Sequence, residues 1–132
     1  MNDSRPLDLI LLLLRLGFGT MMILQHGLPK LEKLFWGDPA RFADPFGFGA
    51  VVTLSLAVII EVICSLLLIL GLLTRLSAIP LILLMIVVVF VVKQGMPLED
   101  KELGLLYLFA FVAILIGGAG YYSLDRMFKR SY

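Results

Sequence analysis

Four long apolar runs occupy most of this 132-residue sequence: about Leu7–Leu28, Gly49–Leu73, Leu76–Val92 and Leu103–Tyr122. A helix crosses the hydrocarbon core with about 20 apolar residues. The runs therefore predict four transmembrane helices in one domain over residues 1–132, with no room for an extramembrane domain. The chain is 61% hydrophobic and 16% charged, against roughly 45–50% and about 25% in soluble domains. A water-soluble globule would have a largely apolar surface, and disordered chains are poor in apolar residues. Both classes are excluded.

The connections refine the architecture. Pro6 suits the first turn of a helix. Arg15 interrupts the first run and no A-x-A site follows it, which argues against a cleaved signal peptide. The segment from Pro29 to Phe48 contains Pro29, Pro39 and Pro45, which are expected to break any long helix. Phe35, Trp36, Phe42, Phe46 and Phe48 suit the headgroup layer, so this segment is expected to lie along the interface. Thr74-Arg75 forms a tight turn, and the third connection runs from Lys93 to Glu102. Short connections make sequence neighbours antiparallel. The predicted fold is an all-α membrane protein, a four-transmembrane-helix antiparallel bundle with an interfacial segment between helices one and two. Arg5, Arg75, Arg126, Lys129 and Arg130 fall on one side, and Lys30, Lys33, Arg41, Lys93 and Lys101 on the other. That balance leaves the positive-inside rule nearly silent; the clustered tail and Arg75 favour cytoplasmic termini.

Several chemistries are excluded by residue type. A net charge of +1 makes no case for nucleic acid. The one cysteine, Cys64, forms no internal disulfide or CxxC pair and reads as a small packing residue. The one histidine, His26, rules out bis-histidine haem within a protomer. Cysteine ligands for an iron–sulfur cluster and a Cys/His set for structural zinc are likewise missing from the sequence.

Ionisable groups inside the spans carry the functional signal, because a charge at mid-bilayer costs about 2.5–3.5 kcal/mol or more. Arg15 sits in the first run and Glu61 near the centre of the second. Their depths predict direct contact between them. Asp8, Arg15, Met22 and His26 fall on one stripe of the first helix, the other three each within about 20° of Arg15 at 100° per residue. Ala57, Glu61 and Ser65 share a face of the second helix. Ala110, Ala113, Gly117 and Gly120 form a small-residue stripe on the fourth, suited to close helix approach. His26, Lys30 and Glu102 are expected to converge at the first-connection end, with Trp36 nearby and Glu102 within salt-bridge reach of His26 or Lys30. Arg75 and Asp125 lie on the opposite side and are placed to pair. Two readings stay open for these residues. Arg15 and Glu61 fix helix register as an ion pair, or they line a ligand or proton pocket. His26 is a structural histidine or a proton carrier, Lys30 a headgroup anchor or a pocket cation, and Glu102 a helix-start charge or a pocket carboxylate.

Arg15-Leu-Gly17, His26-Gly27 with Lys30 beyond it, Glu61, Gly71-Leu-Leu-Thr74-Arg75, Glu102, and Gly118-Ala-Gly120 running into Ser123-Leu124-Asp125 occur in an order and spacing that resembles the DoxX family of small four-helix bacterial and archaeal membrane proteins. The resemblance covers about residues 7–128. It departs from many members late in the third span, where they carry a histidine and this chain reads VVVFVVKQG. The resemblance implies a membrane partner of an oxidoreductase system linked to quinone, thiosulfate or sulfur metabolism, or to oxidative stress. Thiosulfate oxidation itself is not carried over, because the chain has no recognisable redox-cofactor motif.

Three functions follow for comparison. The first is a membrane subunit of a redox system in a bacterial or archaeal inner membrane, non-catalytic or quinone-interacting, with Arg15, His26, Lys30, Glu61 and Glu102 around a polar pocket. Arg and Lys hold ring carbonyls there, and His or Glu exchanges protons. The pocket is expected to be entered from the first-connection side. The second is a small-solute or proton-coupled transporter built on an intramembrane glutamate; Arg15 beside Glu61 would weigh against it by favouring the charged form. The third is a scaffold for soluble redox enzymes. Self-association is compatible with all three.

Overall fold

The computed structural model describes residues 5–37 and 44–128. Four long helices, α1 (Arg5–Trp36), α2 (Ala50–Leu70), α3 (Thr74–Val92) and α4 (Leu98–Gly117), are followed by one short turn of helix, α5 (Leu124–Met127). No strand occurs among the described residues. The helices α1, α2 and α3 are each long and apolar enough to cross a membrane. The fourth has 20 residues and opens on Glu99, Asp100, Lys101 and Glu102. Pro97 precedes it, and Glu99 and Asp100 in its first turn oppose the positive end of the helix dipole.

The core is formed by Met22, Leu68, Ala78, Leu81, Met85, Tyr107, Phe111 and Ile114. α3 and α4 pack along most of their length, and α1 packs on both the end of α2 and α4. Gly117 lies against Leu11, which leaves no room for a β-carbon. The small-residue face of α4 thus meets α1 at Gly117, while Ala113 faces outward and Gly120, expected on the same stripe, lies beyond the end of α4 against Asp8 and Leu11. Ala57, Glu61 and Ser65 on α2 are all buried, as their shared face predicts.

Pro29 does not end the first helix. Residues Ile23–Gly27 form a π-helical turn, with the Leu28 N–H donating to Ile23 O, and an α-helix resumes at Leu28 with proline in its first turn. Proline lacks an N–H and crowds the carbonyl four residues back. The widened turn just before it changes the bonding pattern where that conflict would fall. The helix thereby continues to Trp36, where a break at Pro29 was expected. The rest of that expectation lies partly on residues 38–43, outside the described residues. α2 and α3 contain π-turns as well, at Ile60–Cys64 and Val88–Val92.

Candidate functional site

All three π-turns border one cavity of about 570 Å³. His26 comes from the first, Ile60 and Glu61 from the second, Val88 and Val92 from the third. π-bulges insert an extra residue into a helix and are frequent at functional sites. The walls are mostly aliphatic, with Leu56, Ala57, Pro80, Leu84 and Met85 among them. Pro45, Phe46 and Phe48 roof the end near the first connection. The Asp44 carboxylate holds this roof by accepting from the Phe48 and Gly49 N–H groups and from Thr53 Oγ1, at 3.1, 2.9 and 2.8 Å. Phe46 and Phe48, 56% and 63% exposed, thus border the cavity on the side where its entrance was expected.

Polar groups are few and placed together. Lys30 Nζ donates to Glu61 Oε1 at 2.5 Å, across α1 and α2. Glu61 is fully buried, and its second oxygen, Oε2, has no hydrogen-bond partner. His26 Nε2 is also buried without a partner, and its ring meets Tyr107 edge-on, with centroids 5.3 Å apart. Tyr107 in turn packs against Phe18 and Phe111. Gly27 permits this closeness: a β-carbon there would sit 2.8 Å from Val62 Cγ2 and 3.7 Å from Glu61 Cβ.

Of the five residues expected at the site, His26, Lys30 and Glu61 line this cavity; Arg15 and Glu102 do not. Glu102 is exposed on α4, and Trp36 is 87% exposed. Lys30 turns to Glu61 instead of Glu102.

Arg15 does not pair with Glu61. Its Nη1 donates to Leu68 O at 3.1 Å and Ile69 O at 3.5 Å, and its Nη2 to Tyr122 O. The expected contact fails because of depth. With α1 continuing past Pro29, the residue opposite Glu61 is Gly27, and Gly19 lies opposite Ser65 and Ile69. Arg15 thus reaches the last turn of α2, where carbonyls lack helical donors and a cation is favoured.

A second polar cluster surrounds it. Gly71 adopts φ +73°, and a β-carbon there would meet Arg15 Nη1 at 2.5 Å and Ser123 Cβ at 2.4 Å. The buried Asp125 carboxylate accepts from the Leu73 and Thr74 N–H groups at 2.7 and 2.9 Å, and the Asp125 N–H donates to Gly71 O at 2.8 Å. Asp125 therefore caps α3 and does not pair with Arg75, whose Nη2 reaches Ile116 O at 3.3 Å. Asp8 accepts from the Tyr121 N–H at 3.2 Å. This cluster ties the chain after α4 to the α2–α3 turn.

Tyr107 and Lys93 also line the cavity and were not expected there. Tyr107 could have been found: Tyr107, Phe111 and Ile114 recur at helical spacing and form the buried face of α4. Lys93 had no such signal.

An all-helical chain with several membrane-crossing helices and a mostly apolar cavity between them defines a multi-pass membrane protein. The chain belongs to the DoxX family, whose model matches residues 10–94, from α1 through the end of α3. No curated protein and no solved structure matches it.

Proposed function

We propose that this protein is the quinone-interacting membrane subunit of an oxidoreductase system, with α4 as a fourth crossing and both termini on the cytoplasmic face of a bacterial or archaeal inner membrane. The observation that supports this reading is the cavity itself: aliphatic walls with a Lys30–Glu61 pair and His26 at one place. Apolar pockets with a few convergent polar groups are the usual form of small-ligand sites. A quinone supplies two-electron, two-proton chemistry when bound. The donor set fits such a ring: Lys30 and a protonated His26 nitrogen are donors for carbonyl oxygens, and Glu61 is an acceptor for a hydroxyl. Electrons come from a partner enzyme, since the sequence has one cysteine and one histidine.

Quinone binding to purified protein tests this reading. Glu61→Gln and His26→Ala are each expected to weaken binding by about tenfold, the size of one hydrogen bond to a charged group. If no quinone binds the wild type, and deletion leaves respiration unchanged while altering efflux of a small solute, the transporter reading replaces this one.

A further inference from the structure

We propose that the cavity's occupant is an amphiphile with a carbonyl-bearing ring and a long apolar chain, and that it enters sideways from the bilayer between α2 and α3, its chain leaving past Leu56 and Leu83. This rests on the quinone reading of the same cavity. Three observations carry it.

First, the two walls diverge. The opening half of α2, Ala50–Ile59, packs on the α1 segment Leu28–Trp36 and makes little contact with α3. α3 approaches α2 only around the π-turn Ile60–Cys64 and the last turns before the α2–α3 link. Above Glu61 the helices are therefore separated by the cavity. Leu56 on α2 and Leu83 on α3 both line the cavity and are 48% and 58% exposed.

Second, the other route is roofed. The Phe46 and Phe48 rings lie 5.9 Å apart across the end of the cavity, on a loop fastened by three bonds to Asp44. A solute arriving from water at this end has to pass these rings, whereas a bilayer-dissolved molecule meets the gap between the first half of α2 and α3.

Third, the polar groups are at the wrong depth for a phospholipid headgroup. Glu61 lies 11 residues from the start of α2, about 17 Å in at 1.5 Å per residue, close to the middle of a hydrocarbon layer about 30 Å thick. A zwitterionic or phosphate headgroup stays at the surface. A neutral ring dissolves in the hydrocarbon and reaches Lys30, His26 and Glu61 from within it, while its chain remains among the lipids.

The test compares a long-chain quinone with its tail-less ring, by equilibrium binding to protein in phosphatidylcholine nanodiscs. The wild type is expected to bind the long-chain form at least tenfold more tightly. Leu83→Trp places a bulky ring in the gap at a lipid-facing position, and Leu56→Trp is the second variant should the first fold poorly. Either is expected to raise the long-chain Kd at least tenfold and the tail-less Kd less than twofold. Leu76→Trp, exposed on α3 and outside the cavity lining, should alter neither. If the tryptophan variants bind both ligands as the wild type does, or lose both equally, the sideways route is wrong. If the wild type binds the bare ring as tightly as the chained form, the chain specificity fails and the quinone reading stands. If it binds neither, the quinone reading itself fails, and this proposal with it.

Discussion

Two cations on α1, Arg15 and Lys30, are stabilised in different ways. Lys30 satisfies a buried carboxylate from 31 residues away in sequence; Arg15 satisfies main-chain carbonyls at the end of α2 and beyond α4. Their energetic couplings should differ accordingly. Removing one partner of a buried pair costs about 3–5 kcal/mol, much of it the penalty on the charge left behind. Lys30→Met should therefore destabilise the protein more than Lys30→Met/Glu61→Leu does. Arg15→Leu and Glu61→Leu should add within about 0.5 kcal/mol, as expected of sites with no shared partner. Unfolding in detergent, run as two double-mutant cycles, measures both; strong Arg15–Glu61 coupling would contradict the geometry. At this scale the sequence told which residues matter but not whom they meet. A buried arginine in a span signals a need for acceptors, yet carbonyl acceptors carry no side-chain signature, so the carboxylate at similar depth in the next span looked like the partner. Glu61 itself, being the one acidic residue in the second run, was legible from composition alone.

Among the elements, the α2–α3 link is the tightest. Leu73 sits at φ 50°, in the left-handed region that a leucine rarely adopts, and its N–H is bound by Asp125. Capping carboxylates contribute about 0.5–2 kcal/mol. Asp125→Ala should cost at least the upper end of that range, because it also releases a strained residue and the segment after α4. Asp125→Asn, which keeps an acceptor oxygen, should recover part of it. The thermal midpoint in detergent reads both; equal midpoints for wild type and Asp125→Ala would remove the cap from the account. Hydrophobic runs placed all four long helices but mislaid their ends. Pro29 looked like a stop because a proline normally is one; the π-turn that lets it pass leaves no mark in a hydrophobic pattern. Gly118, at φ 79°, stops α4 five residues before the apolar run does, since a run counts apolarity and not backbone conformation.

For the whole molecule, the proposal of four crossings places both ends of the chain on one side. Reporter fusions at the two termini, with single cysteines at Gln94 and Glu99 probed by a membrane-impermeant thiol reagent in a Cys64→Ala background, should put the termini together and the α3–α4 link opposite them. Termini on opposite sides would leave three crossings, with α4 outside. The cavity was the least legible feature of all. It exists because the first half of α2 follows the continued α1 and leaves α3, a choice made by packing among residues far apart in sequence. The five polar candidates pointed to the right end of the molecule through His26, Lys30 and Glu61 and misled through Arg15 and Glu102.

The length of α1 also makes the helices uneven in height. α2 and α3, with 21 and 19 residues, are about 31 and 29 Å long and match a typical hydrocarbon layer; α1, with 32, is about 48 Å long. Because Gly27 stands opposite Val62 and Gly19 opposite Ile69, the surplus is not at the Trp36 end. It is at the Arg5 end, where 14 residues run on beyond Gly19, about 21 Å at 1.5 Å per residue. Lipids beside α2 and α3 thus meet a wall of ordinary height, while lipids beside α1 meet a taller one carrying Leu7, Leu9, Ile10 and Leu13 on its outer face. A hydrocarbon layer matched to α2 and α3 would leave the Arg5 end of α1 beyond it, so a change in acyl-chain length is expected to act on this protein mainly through that end, at fractions of a kcal/mol per ångström of mismatch.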